Sequence, residues 1–61
     1  MKVGDIVKSR HTVRVAKIIG ENSTHFTAQI TKLPSDYFGI SKVGQIINVA
    51  KEAMDDFWEL Q

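Results

Sequence analysis

The sequence predicts a mainly β domain, a small barrel of about five antiparallel strands with a short helical turn before the last strand. Three observations support this prediction. Residues 24–31 alternate polar and apolar side chains, as a strand with one buried face does. Residues 13–19 are rich in β-branched side chains and lead into turn-forming residues. A chain of 61 residues allows one domain, residues 1–61, with a small core.

Residues 24–31 form the best-defined strand of the sequence. The alternation places three side chains in the core: Phe26, Ala28 and Ile30. Polar residues occupy the other positions, so we expect one face of this strand to be solvated. The long irregular stretch 33–41 follows, since Pro34 cannot donate a hydrogen bond to a sheet.

The strands 13–19 and 24–31 are expected to form a hairpin around residues 20–23. A three-residue loop, the favoured register, leaves Lys17 outside; it places Ile18 and Ala16 opposite Phe26 and Ala28. A two-residue loop would bury Lys17, and an unpaired buried ammonium group is costly. A bulge that mixes the two registers is the third alternative.

The first strand is predicted over Val3–Val7, followed by a polar loop over residues 8–12. Residues 42–47, Lys-Val-Gly-Gln-Ile-Ile, echo residues 2–7, Lys-Val-Gly-Asp-Ile-Val. We interpret the echo as two strands that each begin at a glycine bend, and we attach no further meaning to it.

The C-terminal residues 48–61 fit two structures. Apolar residues recur at helical spacing, with Asn48 as the candidate N-cap: Ala50, Ala53, Met54, Phe57 and Leu60. The aromatic and aliphatic residues at the end also suit a closing strand. We favour one helical turn over 51–56 and a strand over 57–60; the alternative is an α+β fold, an antiparallel sheet with a C-terminal helix.

The order of these elements resembles that of an SH3-like barrel. Val3-Gly4-Asp5-Ile6-Val7 and Val43-Gly44-Gln45-Ile46-Ile47 resemble the glycine-led strands of small bacterial and phage barrels, KOW-type ones included. The resemblance implies a barrel fold and favours a nucleic acid, or the transcription and translation machinery, as partner. The chain departs from peptide-binding SH3 domains, because Pro34-Ser35-Asp36-Tyr37 lies in mid-chain and Trp58 is nearly terminal. Binding of proline-rich ligands is therefore not expected.

Composition excludes several classes of protein. The chain has no cysteine, no apolar run long enough for a membrane span, and no apolar leader segment at its start. We expect a cytoplasmic protein that acts away from membranes. The net charge is +1, but residues 1–32 hold six basic and two acidic side chains, whereas residues 51–61 hold one basic and four acidic. This asymmetry indicates either a basic binding face or two halves that attract each other.

The only two histidines, His11 and His25, lack the spacing of metal ligands, and neither a nucleophile motif nor a glycine-rich phosphate loop occurs. We therefore expect no metal, no cofactor and no enzymatic activity. The strongest candidate site is a basic stretch for phosphate groups: Lys8, Arg10, His11, Arg14 and Lys17. The competing interpretation is that these charges keep a strand edge soluble.

Three aromatic residues form the second candidate site, for a protein partner: Tyr37, Phe38 and Trp58. We expect one of the two loop aromatics to cap an open end of the barrel, because so small a core needs its aromatic residues. The sequence thus predicts a non-enzymatic binding module with two alternatives. One is a nucleic-acid-binding accessory protein that uses the basic stretch; the other is a protein-interaction or regulatory module that uses the aromatic residues.

Overall fold

Five antiparallel strands and one short helix make up the fold in a computed structural model that describes residues 1–61. The strands form one open sheet in the order β4-β3-β2-β1-β5, and the helix precedes the last strand, which confirms the predicted mainly β class. No helix is both long and apolar enough to cross a membrane. The elements are β1 (Ile6–Ser9), β2 (Val15–Glu21), β3 (His25–Lys32), β4 (Ile46–Ala50), α1 (Lys51–Phe57) and β5 (Trp58–Leu60).

The core lies on one face of the sheet and is closed by the C-terminal elements. The predicted inward face of β3 is confirmed, and α1 and β5 each contribute one large side chain. The buried apolar residues are Val7, Ala16, Ile18, Phe26, Ala28, Ile30, Met54 and Trp58. Only 9 of the 61 residues are buried. A core of this size supplies roughly 3–5 kcal/mol of net stability, so each large apolar residue matters.

The β2–β3 hairpin has Ile18 and Ala16 facing inward and Lys17 outside, as predicted, but its register differs. Ile18 lies opposite Ala28 instead of opposite Phe26, and the pairing is interrupted by a bulge between Ile18 and Gly20. The strand also runs two residues further than expected, because Gly20 and Glu21 pair with β3.

The short hairpin loop explains the extension of β2. The side-chain oxygen Oδ1 of Asn22 accepts hydrogen bonds from the backbone amides of Thr24 and His25, at 2.9 and 2.8 Å. Such an Asx turn reverses the chain in few residues, so pairing continues to Glu21. The bulge then keeps Ile18 in the core despite the added residues.

The first strand begins and ends later than predicted. Residues 2–5 form a turn, and β1 runs over Ile6–Ser9, so that Lys8 and Ser9 belong to a strand and not to a loop. Ser9 is buried with its hydroxyl 2.9 Å from that of Thr12. The polar side chain of Ser9 is therefore satisfied inside, which alternation of apolar residues alone does not predict.

The two glycine bends are built alike. Gly4 and Gly44 have positive φ angles of 97° and 91°, and each amide donates a 2.7 Å hydrogen bond to a buried isoleucine of the neighbouring strand, Ile18 and Ile30 respectively. The bends of the two echoed segments are thus confirmed. A positive φ at the third residue of a turn is the type II geometry that favours glycine.

The likeness extends into the central strands. Ala16-Lys17-Ile18 in β2 and Ala28-Gln29-Ile30 in β3 pair so that Ala16 faces Ile30 and Ile18 faces Ala28. This register relates the β1–β2 pair to the β4–β3 pair by an approximate two-fold axis near Lys17 and Gln29. The echo in the sequence therefore has a structural counterpart that we did not expect from the motif alone.

The C-terminal segment follows the favoured prediction of a short helix and a closing strand. The N-cap residue is Ala50 and not Asn48, and it provides no side-chain hydrogen bond. Asn48 belongs to β4, where its Oδ1 accepts a 2.9 Å hydrogen bond from the hydroxyl of Thr27. Met54 enters the core from α1, and Trp58 enters it from β5.

Candidate interaction surface

Two residues of the basic stretch lie beside an acidic residue of the last strand. The ammonium Nζ of Lys8 and the Nη1 of Arg10 each lie 3.7 Å from a carboxylate oxygen of Glu59. The Nε of Arg10 also donates a hydrogen bond to the backbone carbonyl of Asp55 at 3.0 Å. The attraction between a basic first half and an acidic end, left open by the sequence, is therefore present in the fold.

Arg14 connects three parts of the molecule. Its guanidinium carbon lies 5.4 Å from the centre of the Trp58 ring. Its Nε donates a hydrogen bond to the hydroxyl of Thr12, and its Nη1 donates one to the hydroxyl of Ser41, both at 2.8 Å. Arg14 is partly buried because an aromatic ring and two hydroxyl groups surround its guanidinium.

The other two residues of the basic stretch are exposed. The imidazole of His11 lies edge-on to the ring of Phe57, with 6.1 Å between the ring centres. Lys17 lies in the middle of the outward face, opposite Ile6 on one side and Gln29 on the other, and forms no ion pair. Within the basic stretch, Lys8 and Arg10 are therefore ion-paired and Arg14 packs on Trp58, whereas His11 and Lys17 are exposed.

The second candidate site lies in the segment between β3 and β4, residues 33–45, which we call the docking loop. Phe38 is 97% exposed and Ile40 is 93% exposed. Tyr37 is half-buried but does not join the core, whose partly buried neighbours are other residues: Met1, Leu33, Ile47 and Val49. The expectation that a loop aromatic caps the barrel was wrong, because Met54, Trp58 and these neighbours already close the core.

Hydrogen bonds tie the base of the docking loop to the fold. The hydroxyl oxygen of Tyr37 accepts a 3.3 Å hydrogen bond from the backbone amide of Ser41. Hydrogen bonds from Ser41, and to a smaller extent the charge and hydrogen bond of Arg14, lower the pKa of the Tyr37 phenol from its usual value near 10. Because Ser41 also binds Arg14, which lies on Trp58, the loop is connected to the closing strand.

Trp58 is not available for a partner. It is only 4% exposed and belongs to the core, so its assignment to a protein interface is corrected here. β5 pairs with β1, with Trp58 opposite the buried Ser9, and this register turns the indole inward. Trp58 instead contacts Arg14, which donates a hydrogen bond to Ser41 of the docking loop.

Sequence reasoning missed two residues of the site, Ile40 and Ser41. Ile40 is exposed between Gly39 and Ser41 in a stretch that has no periodicity, and an isolated isoleucine in such a stretch was the available signal. Ser41 had no signal, because its role depends on Arg14, which is 27 positions away in the sequence.

A separate cleft of ≈ 460 Å³ lies between the β2–β3 hairpin loop and the start of α1. Its lining is mostly polar: Ser23, Thr24, His25, Ala50, Lys51 and Glu52. None of these residues belongs to the basic stretch or the docking loop. The cleft is therefore separate from both candidate sites.

Comparison with known proteins gave no match: no family model, no curated protein and no solved structure is similar to this chain.

Proposed function

We propose that this chain is a non-enzymatic binding module that docks onto a protein partner through the docking loop. The observation that supports the proposal most strongly is the near-complete exposure of Phe38 and Ile40, two residues apart on one loop. Burial of each side chain in a partner would contribute about 1.5–3 kcal/mol from the hydrophobic effect. Such exposed apolar groups on a small domain are typical of interaction surfaces.

The ties at the base of the docking loop favour binding. The hydrogen bonds of Tyr37 and Arg14 with Ser41 restrict the segment that presents Phe38 and Ile40. A loop that is ordered before binding loses less conformational entropy in the complex. Arg14 therefore acts here as a positioning residue, while the two apolar side chains make the contact.

The chemistry of Phe38 and Ile40 favours a protein partner with an apolar groove. Both contacts are hydrophobic, so we expect an affinity that changes little between low and physiological salt. This property separates the proposal from binding driven by phosphate groups, which weakens steeply as salt rises.

The test is a comparison of two phenylalanine variants. Phe38→Ser should leave the melting temperature nearly unchanged and remove the proteins that the wild type captures from its host extract. Phe57→Ser, at a half-exposed phenylalanine outside the loop, is the matched control and should retain them. Equal capture by the wild type and Phe38→Ser, in a folded variant, would exclude the docking loop as the binding surface.

One observation favours nucleic acid as a second candidate. Lys8 and Arg10 share the single carboxylate of Glu59, and Lys17 has none, so the outward side of β1 and β2 keeps surplus positive charge. Phosphate groups would bind there with a slope of log K against log salt of about −0.7 to −0.9 per contact. We expect weak binding with slight sequence preference, because β1 and β2 contain no aromatic residue that could serve as a stacking platform.

The nucleic-acid candidate is tested with Lys8→Glu/Lys17→Glu, a pair that spares Arg14 and its contacts. Fluorescent single- and double-stranded oligonucleotides are titrated at a series of salt concentrations from about 50 mM upward. Phosphate binding is strongest at the lowest salt concentration. The double variant should lose binding, and Lys42→Glu, an exposed lysine in the docking loop, should retain it. No binding at low salt, or equal binding by the double variant, would remove this candidate.

A further inference from the structure

The outer edge of β4 is an unprotected strand edge. β4 ends the sheet and spans Ile46–Ala50, five residues without a charge or a proline. Natural proteins usually blunt such edges with charges, prolines, bulges or very short strands. The opposite edge has two of these features, since β5 has only three residues and includes Glu59.

The hydrogen-bond pattern shows which backbone groups of β4 point outward. The amide of Ile30 donates to the carbonyl of Gln45, and the amide of Lys51 donates to the carbonyl of Thr24, both at 2.9 Å. Odd-numbered residues of this segment therefore bond to β3. Because backbone groups alternate along an antiparallel strand, Ile46 and Asn48 direct their amides and carbonyls away from the sheet.

The inward side chains of β4 are incompletely covered. Ile47 and Val49 are only partly buried although they pack against the core. In a domain with so few buried residues and no disulfide, further burial of apolar side chains adds a large share of the total stability. A further strand beside β4 would cover these two side chains.

We propose that the β4 edge pairs antiparallel with β4 of a second copy, with a two-fold axis through Asn48. In this register Asn48 faces Asn48 of the second copy, and the half-buried Ile47 faces Val49. The outward backbone groups of Asn48 then bond to each other in both directions. The proposed contact uses the backbone of β4 and needs neither Phe38 nor Ile40, the residues proposed to bind a partner.

Charge favours a second copy over an unrelated strand. The paired segment holds no charged residue, so self-pairing brings no like charges together. Lys42 precedes β4 and Glu52 follows it, while Lys51 between β4 and Glu52 is ion-paired with Glu21 at 2.8 Å. An antiparallel arrangement therefore brings Lys42 of one copy toward Glu52 of the other. The edge is thus complementary to itself both in apolar side chains and in charge.

The first test measures mass as a function of concentration by sedimentation equilibrium. We expect the wild type to double in mass between about 10 µM and about 1 mM, by mass action. Asn48→Lys places two ammonium groups face to face and should weaken the dimer at least tenfold. Gln29→Lys, on the same outward face but in the interior strand β3, is the matched control and should leave the dimer unchanged.

Asn48→Pro provides a second variant with a backbone readout. It removes an amide that faces away from the sheet, where proline is tolerated, so the monomer should fold while the dimer is lost. In the wild type, hydrogen exchange of the Asn48 amide should slow as concentration rises. Three outcomes would each overturn the proposal: a wild type that is monomeric at all concentrations tested, a dimer that survives Asn48→Pro, or a dimer that dissociates in Phe38→Ser. The last outcome would place the contact in the docking loop.

Discussion

The guanidinium of Arg14 lies over the indole ring of Trp58, 5.4 Å from its centre. The sequence assigned Arg14 to phosphate groups and Trp58 to a protein partner. In the fold, the two residues contact each other, and Arg14 also donates a hydrogen bond to Ser41 of the docking loop. Both residues therefore support the base of the docking loop, the surface proposed for binding, and neither of them belongs to that surface.

Removal of this contact should cost stability. Arg14→Ala loses the contact with Trp58 and two hydrogen bonds with hydroxyl groups, so the free energy of unfolding should fall by about 1–2 kcal/mol. Lys17→Ala, which removes an exposed cation without a partner, should change it by less than about 0.5 kcal/mol. Urea denaturation of both variants measures the difference, and equal stabilities would show that the Arg14 contacts contribute nothing.

Two phenylalanines separate core from surface. Phe26→Ala should lower the free energy of unfolding by about 3–5 kcal/mol, which approaches the whole stability of so small a domain. Phe38→Ala should change it by less than about 0.5 kcal/mol, because the ring is 97% exposed. Thermal denaturation followed by circular dichroism is sufficient, and a folded Phe26→Ala variant with an unchanged melting temperature would contradict the inward facing of β3.

The fold was predictable where side-chain pattern alone decides it. The alternation of Phe26, Ala28 and Ile30 determines the inward face of β3, and the helical spacing followed by Trp58 indicates the short helix and closing strand. The exact register of the hairpin was not predictable. It depends on the Asn22 turn and on a bulge near Ile19, which are local hydrogen-bond choices that polarity does not encode.

The site was harder to predict because it depends on pairs that are distant in the sequence. A run of cations indicates phosphate binding only if the side chains have no other partner in the fold. Glu59 pairs with Lys8 and Arg10, and Trp58 contacts Arg14, although both partners lie at the other end of the chain. Exposure of Phe38 had a weak signal, since a loop aromatic is equally suited to capping and to docking. The fold decides in favour of exposure because other side chains close the core.

The single tyrosine of the chain reports on the base of the docking loop. Hydrogen bonds from Ser41 lower the pKa of Tyr37 below 10, so ultraviolet titration of the phenol should give a lower midpoint in the folded protein than in urea. Ser41→Ala should raise the midpoint, and Arg14→Ala should raise it by less.

The sign of the linkage follows from the lowered pKa of Tyr37. The folded state favours the ionised phenol, so its contribution to stability increases as pH rises through the folded pKa and is complete above the unfolded value near 10. Identical midpoints in the folded and unfolded protein would contradict the hydrogen bond to Tyr37.

The two glycine bends should respond alike to a methyl group. Gly4→Ala and Gly44→Ala force alanine into the left-handed region, and each should lower the free energy of unfolding by about 1–2 kcal/mol, with no clash because both sites are open. Gly20→Ala is the control, since its added carbon meets Thr27 at an ordinary 3.7 Å and its φ is not positive. A loss at one bend only would show that the two turns are not equivalent.

Val13 should be improvable. Its φ of 55° places a β-branched residue in the left-handed region, at a cost of about 1–2 kcal/mol relative to ordinary backbone. Its side chain is exposed, so replacement loses little packing. Asparagine tolerates this conformation, and Val13→Asn should raise the free energy of unfolding by about 1 kcal/mol in urea denaturation. Val3→Asn, at an exposed valine whose φ is not positive, should not raise it. Because Val13 immediately precedes Arg14, Val13→Asn should also keep the pKa of Tyr37 low. A Val13→Asn variant of unchanged or lower stability would show that this turn is not strained.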